Sequence, residues 1–353
     1  MATVIPERWK KGVLGSQLTS IKVGGEIAYF SRPTTIEELQ EDLILAQEAD
    51  IKTRIIGGGS DILFADAGMD GLVIQPALTL CTVLSSDEVS MKKYDKIEPY
   101  NAAPRYARGE GEKYLALEGK VVSEGAPTYV ELGAGVAWGQ AVMWSLNQGL
   151  TGLHWFARIP CNVGGAVFNN IHGEKHLLSE VIVGVNCVSR DGKGETRFYP
   201  VNESEFGYDY SRFHTSTEVI TSVILRLFAA PTEQIAAAKT QYLDWTKTKN
   251  TIQPIAANCG SVFQNLEPSE IPAGETSGAA GYYVEFSGQL GRQYGGMQVY
   301  PTHGNFITNL GTGTQADFIA LVQQVRETVK EKYGVTLHPE AECITENGER
   351  FVW

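Results

Sequence analysis

Cysteines are few in this chain and show no pattern. Cys81, Cys161, Cys187, Cys259 and Cys343 make five, an odd number, scattered and without a C-x-x-C pair. That excludes a disulfide framework and suits reduced thiols in a cytosol. No apolar run approaches the ~18 residues that cross a bilayer, and the opening "MATVIPERWKKGV" has no apolar signal-peptide core. Basic charge is scarce: 29 Lys and Arg against 41 Asp and Glu leave a formal net charge of −12. Nucleic acid and anionic membranes both reward basic patches, so neither is expected as a partner. Internal repeats and low-complexity segments are missing too. What remains is 353 residues, 43% hydrophobic and 20% charged, enough for two or three domains with a sizeable core.

Periodicity organises the chain. "TSIKVGGEIAYFSRP" (19–33) alternates and breaks at Gly24-Gly25, predicting two short strands round a turn. "TTIEELQEDLILAQEADI" predicts a helix with a Thr35/Glu38 capping box and Ile36, Leu39, Leu43 and Ala46 on one face. "TRIIGG" and "DGLVIQPAL" predict strands, so residues 1–78 form a β–α–β subdomain. Residues 82–127 are polar and aperiodic, expected as strands with a long mobile excursion near 90–112. Then come "TYVELGAGVAW", a helix 138–148 ended by Gly149, a hairpin 181–200 turning at Asp191-Gly192, and a strong strand 217–228. At Pro231 the composition shifts: a helix opens a third unit. A second amphipathic helix there is capped by Thr314/Asp317, with Phe318, Leu321, Val322, Val325 and Val329 inward and Gly334 after the last turn. The expected domains are 1–78, 79–230 and 231–353.

Two glycine clusters carry the chemistry. In "IIGGGSDILF" three glycines follow a strand, placing the backbone of Gly57, Gly58, Gly59, Ser60 and Asp61 where an anionic group can approach. A P-loop needs a lysine that is missing, and no G-x-G-x-x-G opens a helix here. A tight inter-strand turn explains this loop alone equally well. The second cluster, "RIPCNVGGAVFNNIHG" (158–173), combines Pro160, Val163, Gly164, Gly165 and Asn169. Two such loops suit a long ligand with a pyrophosphate and a flat polar ring, hence a dinucleotide cofactor.

Taken in order and spacing, "TSIKVGGEIAYF", "GGGSDILFADAGMDGLVI", "ARIPCNVGGAVFNN", "CGSVFQN" and "LHPEAE" resemble the UDP-N-acetylenolpyruvoylglucosamine reductase (MurB) family over residues 15–345. The resemblance implies an α+β protein: a two-subdomain FAD-binding fold of the vanillyl-alcohol-oxidase/PCMH type plus a C-terminal α+β substrate domain. It implies noncovalent FAD on Gly57–Asp61 and the second cluster, NADPH as co-substrate, and a UDP-sugar as substrate, handled by a cytoplasmic monomer in peptidoglycan precursor synthesis. Ser261 matches the family's proton-donating serine and Asn265 a substrate-binding asparagine. Glu340 matches a glutamate near the substrate carboxylate, for which a raised pKa is expected. Tyr208 matches a substrate-binding tyrosine.

One position departs. The family carries an arginine directly after that tyrosine; here "FGYDYSRFH" puts Asp209 there. Arg212, three residues on, is expected to supply the guanidinium as a catalytic residue, with Arg158 as a further substrate-binding candidate. "GQLGRQYGG" and "VYPTHGNF" lack lysines that many members carry, which leaves NADPH against NADH open. His172 and His176 in "HGEKH" lack the glutamate spacing of a zincin, so no metal is expected and His172 is placed beside the flavin. Cys259 is expected to be a buried structural thiol, and Met143, Trp144, Trp155 and Phe156 core. A flavin oxidase of the same fold, or a relative that binds FAD or UDP-sugar without turnover, are the competing readings.

Overall fold

A computed structural model describes residues 5–100, 126–173 and 176–353. The first sheet runs Val13–Leu14, Glu26–Ser31, Met69–Ile74, Thr53–Ile55 in space. Met69–Ile74 lies parallel to both Glu26–Ser31 and Thr53–Ile55. The helix Ile36–Glu48 lays Leu39, Leu43 and Ala46 on this sheet against Leu72 and Ile74. Under it the buried Asp42 carboxylate is fully engaged by Arg8 Nε (2.8 Å), Trp9 Nε1 (2.6 Å) and Ser31 Oγ. Such pairing makes a charge tolerable in a core.

The second sheet is antiparallel, ordered Thr196–Pro200, Ile182–Ser189, Glu218–Ala229, Pro127–Gly133, Cys81–Val83. Its middle strand is buried without a break from Val219 to Leu225, which explains why "VITSVIL" reads apolar rather than alternating. The helices Trp138–Asn147 and Val163–Phe168 pack on this sheet and share its core. Ile235 and Ala238, from the first half of the long helix Thr232–Ile252, belong to the same core.

The C-terminal unit packs the helix Gln315–Tyr333 and the short helix Ala280–Phe286 around a three-stranded sheet. Thr314 and Asp317 form the expected reciprocal cap, and Phe318, Leu321, Val322, Val325 and Val329 are all buried. This unit is stitched to the first. The strand Ile62–Phe64, directly after the glycine loop, pairs in parallel with Glu342–Ile344. Gln315 Nε2 donates to Leu63 O (2.9 Å) and Ile344 O (3.0 Å), and the Asp66 carboxylate accepts from the N–H groups of Gln315 (2.7 Å) and Ala316 (3.1 Å).

Several local expectations are corrected. Residues 19–25 form no strand: Gly24 and Gly25 press against Phe64 and the backbone of residues 66–68, and the antiparallel partner of Glu26–Ser31 is Val13–Leu14. Glu38 N–H reaches the Thr35 hydroxyl, but the Glu38 carboxylate caps Thr34 instead, and Ile36 is exposed. A capped helix, Ser86–Lys92, occupies part of the stretch expected to be irregular; most of the remaining excursion, 101–125, lies outside the described residues. The 182–200 hairpin is joined by residues 190–195 rather than a two-residue turn, with Gly192 and Gly194 both at positive φ.

Candidate active site

A cavity of about 430 Å³ opens where the three units meet, lined by residues of the glycine loop, of the second glycine cluster, and of the 258–261 and 340–350 segments. The loop is held from behind. Ile56 N–H bonds Ile74 O, Gln75 Nε2 donates to Gly57 O (2.8 Å), and Ser20 N–H to Gly59 O (2.8 Å). The three glycines serve different ends. A Cβ on Gly59 would sit 1.9 Å from Leu18 O, and its φ is +68°, so packing and backbone geometry alone demand glycine. Gly57 and Gly58 instead face the second cluster: Cβ atoms there would come 3.5 Å from Gly165 N and 3.3 Å from Pro160 O. Their bareness keeps a seam open between the subdomains.

The second cluster is anchored by Val163 N–H to Val136 O and Gly164 N–H to Ala134 O, both 2.9 Å. Asn169 reaches across the seam, its Nδ2 3.4 Å from Asp61 Oδ2. Burial, with the negative charge of Asp209 added, raises the Asp61 pKa well above the usual carboxylate range; the Asn169 donor opposes this. Asn170 is structural, held at φ 44° with its amide spent on Gly207 O and Ser179 N.

The C-terminal unit supplies the reactive end. Glu340 N–H bonds Val262 O (2.8 Å) and Gln264 N–H bonds His338 O (2.9 Å), so a short backbone ladder sets Ser261 beside Glu340, both on the cavity wall. The buried Asn305 side chain clamps this ladder: Oδ1 accepts from Phe263 N–H and Nδ2 donates to Phe263 O, each at 2.9 Å. Gly260, at φ +81°, turns the chain into Ser261. Cys259 is buried and its thiol pKa is driven well up by burial, which makes it an inert thiol.

Of the sequence-derived candidates, Gly57, Gly58, Gly59, Ser60, Asp61, Pro160, Gly164, Gly165, Asn169, Ser261, Glu340 and Arg158 line the cavity. Val163 does not; its side chain is wholly buried in the second core. Tyr208 and Asn265 sit behind the wall, Asn265 Nδ2 donating to Tyr208 Oη (3.0 Å) while Asn265 Oδ1 accepts from Ala280 N–H (3.2 Å). Burial is the main cause of the raised Tyr208 pKa, Asp209 the next. Arg158 spends its guanidinium on Gln253 Oε1 (2.7 Å), Pro254 O (3.2 Å) and Asn250.

Arg212, expected to supply the guanidinium, is not among the residues that line the cavity. It lies 4.1 Å over the Tyr199 ring and donates to Glu203 O (2.8 Å), on a 3₁₀ turn whose next two residues, Phe213 and His214, reach the cavity in its place. Asp209 does reach the cavity, and His172 Nδ1 lies 3.2 Å from Asp209 Oδ1.

Sequence reasoning missed a cluster of arginines on the same wall. Glu342 bridges Arg54 and Arg350, and Arg190 Nη2 donates to Thr53 O (3.0 Å) and Thr53 Oγ1 (3.1 Å). Burial, then the charges of Arg350 and Arg190, lowers the Arg54 pKa to about 10, and its buried Nε has no hydrogen-bond partner. An unsatisfied buried donor and crowded positive charge suit phosphate oxygens. Arg54 directly before the glycine run was a legible signal; nothing local marked Arg190 or Arg350.

A glycine-bared seam leading from this basic wall to a serine and a carboxyl defines a nucleotide-cofactor site, and the comparisons give its class. Residues 116–196 match the "FAD binding domain" model, and residues 253–344 match "UDP-N-acetylenolpyruvoylglucosamine reductase, C-terminal domain". The architecture is that of the solved UDP-N-acetylenolpyruvylglucosamine reductase from Thermus caldophilus, with a TM-score of 0.66 at 24% identity over 95% of this chain and 98% of that one. It is an FAD-binding fold followed by a C-terminal α+β unit. The UDP-N-acetylenolpyruvoylglucosamine reductase of Treponema denticola is 30% identical over 92% of this chain and 89% of its own length; that of Trichormus variabilis is 29% identical over 96% and 86%. The chain belongs to the UDP-N-acetylenolpyruvoylglucosamine reductase family.

Proposed function

We propose that this protein reduces UDP-N-acetylenolpyruvoylglucosamine to UDP-N-acetylmuramate with NADPH, through noncovalently held FAD, in peptidoglycan precursor synthesis. The observation that carries the reading is Ser261 beside Glu340 at the end of a glycine-walled seam. The residues present fit the cofactor. The Gly57–Gly58 seam would be filled by any Cβ, and Arg54 keeps a buried donor unpaired. Gly57–Asp61, Pro160, Gly164, Gly165 and Asn169 would hold it, with the arginine wall facing its phosphates. Bound FAD supplies hydride transfer from the nicotinamide to the substrate's vinyl group.

The protein's own task is protonic and electrostatic. Hydride arriving at one vinyl carbon leaves enolate character on its neighbour, and Ser261 Oγ is the group that protonates that carbon. Asn305 keeps Ser261 in place by fixing both polar groups of Phe263. Glu340 stands beside the developing charge, and Tyr208 and Asn265 brace the wall between the second and third units. The domains expected at 1–78, 79–230 and 231–353 would then hold the cofactor between the first two and present substrate from the third. A cytoplasmic monomer is part of the reading, in keeping with nucleotide substrates and five free cysteines.

Ser261→Ala tests the assignment. NADPH should still bleach the flavin, while recolouring by the enolpyruvyl sugar should slow by about 10²–10⁴-fold, the usual worth of a positioned acid. Recolouring at the wild-type rate would remove Ser261 from the chemistry.

A further inference from the structure

The cavity continues past the reactive groups, and the reading of its other end rests on the cofactor assignment above. Ser20 Oγ lies 2.6 Å from Asn258 O and 3.3 Å from Ser60 O, so the segment that carries Ser261 sits where the glycine loop ends. The strand Thr53–Ile55 leads into the same loop from the other side. Thr53 precedes Gly57 by up to about 13 Å of extended chain, at roughly 3.3 Å per residue. A dinucleotide whose flavin reaches Ser261 and whose pyrophosphate lies on Gly57–Asp61 therefore carries its adenine toward Thr53.

Two charged side chains stand there on adjacent strands. Arg190 follows the strand Ile182–Ser189, lines the cavity, and donates from Nη2 to Thr53 O (3.0 Å) and Thr53 Oγ1 (3.1 Å). Glu218 opens the neighbouring strand: it lies opposite Ser189, and Arg190 N–H bonds Thr217 O (2.7 Å). Its side chain is 6% exposed, and it too lines the cavity. Oε1 accepts from Tyr199 Oη (2.6 Å) and lies 3.4 Å from Arg197 Nη1, whereas Oε2 is buried with no hydrogen-bond partner. Burial works against this charge, but the Ser216 and Tyr199 hydroxyls and the Arg212 and Arg197 charges outweigh it and hold the Glu218 pKa below its ordinary value. An ionised carboxylate only accepts, so whatever meets Oε2 must be a donor.

We propose that Glu218 and Arg190 read the adenine edge of the dinucleotide, the carboxylate accepting from the exocyclic amine and the guanidinium donating to the ring nitrogen beside it. Adenine carries that donor next to that acceptor, and a carboxylate beside a guanidinium is the complementary order. Ile55, Pro76, Val219 and Ile220 line the cavity on the same side and offer apolar contact to the faces of the ring. Hypoxanthine puts a keto oxygen where adenine has its amine. That oxygen would face the Glu218 carboxylate acceptor to acceptor, with no proton between them.

The test is titration of the flavin-free protein, read as quenching of flavin fluorescence, with FAD and with the analogue in which hypoxanthine replaces adenine. The wild type should bind FAD at least about tenfold more tightly, since a site built around a hydrogen bond rejects the analogue that cannot make it. Competition by ADP and by inosine diphosphate, which carry the same two bases without flavin, should show the same order in the wild type. Glu218→Gln can turn either a donor or an acceptor to the base and should bring the two dinucleotides within about threefold of each other. Arg190→Met should weaken ADP by at least about fivefold, as loss of a charged donor does. Equal wild-type affinities for the two dinucleotides overturn the proposal, as does a preference that survives Glu218→Gln. Unchanged ADP binding in Arg190→Met removes Arg190 from it. A wild type that binds neither dinucleotide refutes the cofactor assignment itself.

Discussion

Adding one methyl group at each of two neighbouring glycines should separate folding from cofactor binding. At Gly59 the added Cβ meets Leu18 O at 1.9 Å, and the residue must hold φ +68°. A left-handed conformation costs a non-glycine residue roughly 1–2 kcal/mol, and overpacking against fixed backbone typically adds about 1–3 kcal/mol. Gly59→Ala should therefore lose about 2–5 kcal/mol of stability, visible as a lower Tm in the flavin-free protein. At Gly57 the nearest atoms to an added Cβ are Gly165 N at 3.5 Å and Gly165 Cα at 3.6 Å, ordinary contacts, so Gly57→Ala should fold normally. Its Tm without flavin should match the wild type or rise slightly, because alanine narrows the unfolded ensemble by about 0.4–1 kcal/mol. That methyl nevertheless occupies the seam assigned to FAD. An overpacking cost of about 1–3 kcal/mol, charged to binding, is a roughly 5- to 150-fold loss of affinity. Thermal melts and flavin titration of the flavin-free protein check both halves. Wild-type FAD affinity in Gly57→Ala would refute the placement of the cofactor, and an unchanged Tm in Gly59→Ala would refute the packing argument.

Three further outcomes follow from the geometry. Arg212→Ala should leave the substrate KM and flavin reduction unchanged and cost about 1–2 kcal/mol, because the Tyr199 stacking and the Glu203 hydrogen bond are lost; a large rise in KM would return Arg212 to the site. Asn305→Ala removes two buried 2.9 Å hydrogen bonds and should cost about 2–4 kcal/mol in a denaturant melt, with kcat falling as the Ser261 ladder loosens; full activity at full stability would contradict the clamp. For Asp61 the sign is fixed by its raised folded-state pKa, caused first by burial and then by Asp209. A carboxyl whose pKa is raised on folding imposes nothing below its unfolded pKa of about 4 and a growing penalty as pH climbs above it. Asp61→Asn should therefore leave the Tm of the flavin-free protein unchanged near pH 4 and raise it by pH 7, and a gain confined to acid would refute the assignment.

Much of this was legible residue by residue, for reasons that differ. The helices Ile36–Glu48 and Gln315–Tyr333 announce themselves because cap chemistry and a 3.6-residue apolar stripe are local properties. The glycine loop and Ser261 were found because each sits in a run whose composition serves little else. What stayed hidden depends on partners distant in the chain. Ile62–Phe64 looks like a tail of the loop until Glu342–Ile344 lies beside it. Arg54 and Arg350 form a wall only once Glu342 stands between them. Arg212 was a plausible substitute by spacing alone, but a 3₁₀ turn rotates it onto Tyr199 and brings Phe213 and His214 to the cavity instead. Asp209 looked like a charge hostile to the substrate; that His172 lies against its carboxylate depends on a residue far from it in the chain.

The central claim, that this seam and its serine perform a two-stage hydride relay on an enolpyruvyl sugar, is tested most directly by anaerobic stopped-flow at the flavin absorption band. NADPH should bleach the bound flavin, and UDP-N-acetylenolpyruvoylglucosamine added next should restore its colour without oxygen, leaving UDP-N-acetylmuramate as product. A flavin that stays bleached with the sugar and recolours only with oxygen, or a purified protein that binds no flavin, would contradict the account.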